Sequence, residues 1–472
     1  MNFLEKINIK NKLFYKILFF LFFWILFFRL HNVLSFNPYW GYDGGGHIDY
    51  IISLASENKF PDINNNYLAW HEPLYYLIFA FFLKIFFFLI NNPDIKDTLK
   101  FLGFLQVILS LCVSFLIYKL IILLSKKYNF SRGTIIVSLI IVNLLPSLNQ
   151  ASTFLTNELL NYFFILYAFY FFLKQFQNQE KIKIRDCFFL GIILGLGLLT
   201  KITILILILN FLIYFIIDFF INYRKYLKNK NLFGRLQKIF LIFFISFLIY
   251  SPWFVYRKNK LLDSFSINNT DFVSPQELKI DKRFLFFFGF DFDIFNFPYY
   301  YSGAKKFFSI LYADFFWDYY GTIENKDFIN KSIEHGGLNL IATTHNNNHF
   351  VSLRSYYLNR LLSILSIVVF FVFCFGFFNY LVKIRKVKNI SLEILVPTSF
   401  LLGIIYYAYR YPYYDKGIVK AIFIFPVFIH LFPYGLAKLE KYNKKFFYLI
   451  LVLIFFYFII LSLLYWIKKF NY

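Results

Sequence analysis

The chain has 472 residues, of which 59% are hydrophobic, 25% aromatic and only 16% charged, with a formal net charge of +23. A water-soluble domain of this size would be closer to a quarter charged, so the surplus apolar surface calls for lipid as its solvent. Most Lys and Arg occupy short connectors between apolar runs, the pattern of cytoplasmic loops, which argues against nucleic acid as the partner of this charge.

A membrane-crossing helix takes roughly 20 mostly apolar residues, because lipid cannot satisfy open backbone groups. Candidate runs lie at 13–33, 73–90, 100–125, 133–149, 154–173, 186–200, 202–222, 238–255, 356–382, 391–409, 417–435 and 446–467. The first has no small-residue cleavage site and reads as an anchor rather than a signal. Lys6, Lys10 and Lys12, and the connectors around Lys126–Arg132, Lys181–Arg185, Arg224–Lys230, Lys383–Lys388 and Lys441–Lys445, are expected on the cytoplasmic side. They cannot all be inside if every run crosses. Run 73–90 opens with Pro73, carries Lys84 and is short, so it is expected to lie in the outer interface.

The expected fold is an all-α polytopic membrane protein with about 11 crossings, N-terminus inside and C-terminus outside. Three units follow: a transmembrane module over 1–255 with its first outer loop at 34–72, an extracytoplasmic loop over 256–355, and C-terminal helices over 356–472. The middle unit is too long for a mere connector and is expected to fold. Cys112, Cys187 and Cys374 sit inside apolar runs and form neither a disulfide framework nor a metal spacing.

The first polar cluster is YDGGGHIDY, where Asp43 emerges close to the membrane surface and the amphipathic stretch from His47 reads as a surface helix. A carboxylate there can act as a general base, or it can simply cap that helix. Next comes HEPLYY at 71–76, and then Asn157–Glu158 at the start of a later run. Glu158 either complements the helix dipole or is an ionisable group at membrane depth with a partner and a task. Lys201 in GLGLLTK is the sole charge within 187–217; it either snorkels to the interface or binds an anion. Arg410, Lys416 and Lys420 stand among tyrosines in the last outer turn, suited to phosphate or to interfacial anchoring. His335, His345 and His349 match no metal spacing and read as a solvated loop.

The ordered set Asp43, HEPLYY, Asn157–Glu158 and GLGLLTK resembles the GT-C superfamily of polytopic glycosyltransferases, in the group holding protein O-mannosyltransferases and aminoarabinose–lipid A transferases. YADFFWDYYG at 312–321 and KAIFIFP at 420–426 look like weaker features of the same group. The resemblance implies a multi-pass protein of the bacterial cytoplasmic membrane, with its active site on the outer side. It would take sugar from a polyprenyl-phosphate donor and pass it to a glycan, lipid or protein acceptor. It makes Asp43 and Glu158 the catalytic candidates, with His47, His71, Asn157, Lys201, Arg410 and Lys420 toward substrate. Many members carry Asp–Glu where this chain has Asp43–Gly44, and His–Pro–Pro where it has His71–Glu72–Pro73. No cofactor and no metal site is assigned. A flippase for lipid-linked glycans would line a path through the bilayer with charge, whereas here the ionisable residues gather at outer helix ends. An O-antigen polymerase or ligase stays open as the other reading.

Overall fold

The computed structural model describes residues 3–467 except 37, 41–42, 63–64, 67, 92, 177–182, 229–231, 261–282, 300–305, 318, 320–338, 345–346, 388–390 and 411–418. The chain runs through α1 (Phe3–Ser35), a 3-10 turn at Pro38–Trp40, α2 (Gly44–Ser56), α3 (Leu74–Leu89), α4 (Ile95–Tyr128), α5 (Arg132–Leu144) and α6 (Pro146–Thr153). Then follow α7 (Glu158–Gln175), α8 (Ile184–Leu198), α9 (Ile204–Lys228), α10 (Leu232–Lys260), α11 (Arg283–Phe288) and α12 (Phe307–Phe316). An antiparallel hairpin of β1 (Asn339–Thr344) and β2 (Asn347–Ser352) precedes α13 (Leu353–Val387) and α14 (Leu392–Arg410). The last elements are α15 (Phe425–Phe428), α16 (Leu431–Tyr442) and α17 (Lys444–Ile467). The hairpin is the one departure from an all-helical fold among the described residues.

Seven described helices are long and apolar enough to cross a membrane: α1, α4, α9, α10, α13, α14 and α17. An eighth results if α5 and α6, bent by 52° at their junction, count as one span. The bend has a local cause: Pro146 starts α6, and the residue before a proline is driven out of the helical region, which is where Leu145 sits at ψ 137.

The runs expected at 154–173 and 186–200 are α7 and α8, and 417–435 is broken into a 3-10 turn, α15 and α16. α7 packs on α4 and α8, and buries Glu158 and Asn161. A helix surrounded by protein can carry polar groups that lipid would not tolerate. α3, with 16 residues, is shorter than a span requires, and it packs along α2. Outward-facing Phe19, Phe20 and Phe27 on α1 and Phe240 and Phe247 on α10 are exposed, as lipid-facing side chains are.

α8 and α10 make the most extensive helix pair. A Cβ on Gly195 would stand 2.8 Å from the Ile249 Cβ and 3.0 Å from the Ser246 carbonyl oxygen, so only glycine permits this approach.

The connector after α4 meets the start of α14 and the end of α16. Lys127 Nζ lies 2.5 Å from Glu393 Oε1, and the Tyr128 hydroxyl donates to the same oxygen at 3.0 Å. Thr134 Oγ1 donates to Glu440 Oε2 at 2.8 Å, and Lys441 Nζ donates to the Tyr128 carbonyl at 3.1 Å. α5 and α6 lead away from this junction to the site described next.

Candidate functional site

Four segments far apart in sequence converge beside α2. A Cβ on Gly44 would lie 2.4 Å from the Pro38 carbonyl oxygen, so glycine is required for the first turn of α2 to seat on the 3-10 turn. The left-handed backbone position, however, falls on Asp43 itself (φ 54), not on the glycines. Asp and Asn tolerate that conformation better than other side chains. The Asp43 side chain is exposed and makes no capping hydrogen bond to α2. Capping therefore does not account for this carboxylate.

One turn later the backbone N–H of His47 donates to the Asp43 carbonyl at 3.1 Å. His47 is buried, and its Nδ1 lies 2.8 Å from the Tyr76 hydroxyl. His71 Nδ1 lies 3.0 Å from the same hydroxyl. The Tyr76 ring stacks on Tyr50 at 3.8 Å between centroids and on His47 at 5.7 Å. Burial pulls His47 down to about 4, against the opposing effect of Asp43, and pulls His71 well below the usual imidazole range, with His47 and Lys201 adding to it. Both rings are neutral at pH 7.

Glu72 is buried, with Oε1 at 3.5 Å from Arg257 Nη1 at the end of α10. Burial raises its pKa, while Arg257, Lys201 and the backbone N–H of Ile202 act the other way. The Leu74 N–H donates to the Leu199 carbonyl at 2.9 Å. The HEPLYY segment is thus stitched onto the turn that carries Lys201.

Lys201 Nζ forms an ion pair with Glu158 Oε1, their side chains 18% and 5% exposed. That pairing replaces the snorkelling expectation. The other carboxylate oxygen of Glu158 accepts from Asn161 Nδ2 at 3.5 Å, and Asn161 Oδ1 accepts from Thr203 at 3.3 Å. Asn157 Nδ2 donates to the Thr200 carbonyl at 3.3 Å, so it holds the lysine turn in place.

Lys201 Nζ also stands 4.6 Å above the Phe423 ring. Phe423 closes the 3-10 turn Ala421–Phe423, which Asp314 anchors by accepting the Ala421 N–H at 2.6 Å. Lys420 is the half-buried residue just before that turn. Arg410 ends α14, but its side chain lies outside the described residues, as do Lys416, His335 and His345 entirely. His349 is in β2, its side chain likewise outside them. Among the described residues no group of three or more His, Cys, Asp or Glu side chains is placed to hold a metal ion.

Tyr76, Arg257 and Asp314 escaped the sequence reading. Tyr76 stood inside HEPLYY and Asp314 inside YADFFWDYYG, so both motifs carried the signal without a role for the residue. Arg257 looked like one more cation closing an apolar run.

Residues 71–253 match the family model described as dolichyl-phosphate-mannose-protein mannosyltransferase. This segment contains HEPLYY, Asn157–Glu158, GLGLLTK and all but the last seven residues of α10, and over it the chain is similar to that glycosyltransferase family. Asp43 lies before it. Among curated proteins none matches the chain. Among solved structures the chain is similar to an Archaeoglobus fulgidus oligosaccharyltransferase tethered with an acceptor peptide, at 12% identity and a TM-score of 0.42. That likeness covers 84% of this chain and 47% of the other, and it is too distant to carry an argument.

Proposed function

We propose that the protein transfers a sugar from a polyprenyl-phosphate-linked donor to an acceptor hydroxyl at the outer face of the bacterial cytoplasmic membrane, with inversion at the anomeric carbon. The supporting observation is convergence. His47 of α2 and His71 and Tyr76 of HEPLYY are hydrogen-bonded together, Lys201 of the Glu158–Lys201 pair acts electrostatically on both imidazoles, and the exposed Asp43 lies one turn from His47.

In this mechanism the Asp43 carboxylate accepts the acceptor hydroxyl proton as that oxygen attacks the anomeric carbon. The bond from that carbon to the phosphate oxygen breaks, and its electron pair leaves with the polyprenyl phosphate. Lys201 stabilises the charge on the departing phosphate, with Arg410 and Lys420 as further cations. At rest Glu158 balances Lys201, which makes it the second carboxylate of the site. The acceptor is a glycan, a lipid or a protein.

The test is transfer from radiolabelled dolichyl-phosphate mannose in membranes containing the protein. Asp43→Asn keeps a residue suited to the left-handed backbone and removes the charge, so activity should fall by about 10²- to 10⁴-fold at unchanged expression. Full activity in that variant removes Asp43 from the mechanism.

A further inference from the structure

A hydroxyl has one proton to give. Tyr76 Oη lies within hydrogen-bond distance of two imidazole nitrogens, His47 Nδ1 at 2.8 Å and His71 Nδ1 at 3.0 Å. It can donate to only one of them, so the other ring must donate its own Nδ1–H to the tyrosine oxygen. A neutral imidazole carries a single N–H. The ring that accepts at Nδ1 therefore bears its proton on Nε2, and the ring that donates at Nδ1 has a bare Nε2.

We infer that Tyr76 locks His47 and His71 in opposite neutral tautomers, so that their outer edges offer a ligand one N–H donor and one nitrogen acceptor. Two further observations support this. Among the described residues neither Nε2 has a hydrogen-bond partner, and neither belongs to the fully buried atoms left unsatisfied. The ring centroids are 5.8 Å apart, tilted by 55°. Burial also keeps both rings uncharged.

A donor and an acceptor on two rings whose centroids are 5.8 Å apart suit the hydroxyls of a sugar, each of which both gives and takes a hydrogen bond. The tautomers can exchange only together, through the tyrosine. A ligand that pairs with one ring thereby fixes what the other offers. This assigns sugar recognition to the pair, and it rests on the glycosyltransferase reading; the tautomers themselves do not.

The first measurement needs no ligand: 15N spectra of histidine-labelled protein at pH 7, with His47→Asn and His71→Asn used to assign the two rings. One ring should show an Nδ1–H and the other an Nε2–H signature. Two identical tautomers, or a charged ring, overturn the inference even if the protein transfers sugar.

The second uses Tyr76→Phe, which retains the stacking on Tyr50. Its folding is checked by the intact Trp fluorescence and elution profile. The KM for dolichyl-phosphate mannose should rise about 10-fold with a smaller change in kcat, and the two rings should lose their complementary signatures. A KM equal to wild type would show that Tyr76 only packs. If the wild type itself transfers no sugar from this or related donors, the enzymatic reading fails while the tautomer result stands on its own.

Discussion

Removing the cation at position 201 separates a paired lysine from a snorkelling one. In Lys201→Met the stem volume is retained, and Glu158, whose side chain is 5% exposed, loses its ion-pair partner. It keeps one hydrogen bond of 3.5 Å from Asn161. Breaking a buried ion pair from one side typically costs about 3–5 kcal/mol, because the remaining charge stays desolvated. Lys201 retains 18% exposure, so the lower end, about 3 kcal/mol, is the expected value. That corresponds to roughly 100-fold in the folded-to-unfolded ratio.

The assay is equilibrium unfolding in mixed micelles of mild and denaturing detergent, followed by Trp fluorescence. The double variant Glu158→Gln/Lys201→Met removes both charges and should recover most of the loss. A snorkelling lysine would cost no more than about 0.5 kcal/mol, as surface substitutions do. That result, or a double variant worse than the single, would refute the pairing argument.

Gly195→Leu should destabilise by about 1–3 kcal/mol, read as a lower melting temperature in detergent, because its Cβ meets Ile249 and the Ser246 carbonyl in the α8–α10 crossing. Asp314→Ala should cost about 1.5–3 kcal/mol by orphaning the buried Ala421 N–H, and should raise the KM for the donor by loosening the turn under Lys201. Stability should also depend on acid. His47 stays neutral down to about 4 when folded but takes a proton near 6.5 when unfolded. The unfolded chain therefore binds more protons between those values, and stability falls as pH drops from about 6.5 toward 4, by up to about 3 kcal/mol. Thermal unfolding across that range should show the slope, and His47→Asn should reduce it, with His71 keeping part of it.

The positions of the long lipid-facing helices were legible because lipid demands unbroken apolar runs, while the bend at Pro146 was hidden inside one such run. α7, α8 and the stretch 417–435 were legible as apolar segments but not as internal, shorter or broken elements. Hydropathy reports what a residue is, not whether protein or lipid surrounds it. The site was legible as four motifs in order, and the structure joins them through groups the motifs did not weigh: a tyrosine hydroxyl, an arginine at the end of α10 and a carboxylate in α12. Such partners are chosen by distance in space, 29 residues apart for His47 and Tyr76 and 107 for Asp314 and Ala421, and no local spacing encodes them. A run of three glycines is the obvious local sign of a tight turn, yet the left-handed torsion belongs to Asp43 just before them.

That torsion makes position 43 selective twice over. A glutamate would supply the same charge, yet its backbone resists a positive φ by about 1 kcal/mol or more, and its longer arm would carry the oxygens past the place where the shorter acid holds them. Glycine would fit the torsion and bring no acid. The local geometry thus narrows the usable alphabet at this site to aspartate and its amide, and only the former can take up a proton.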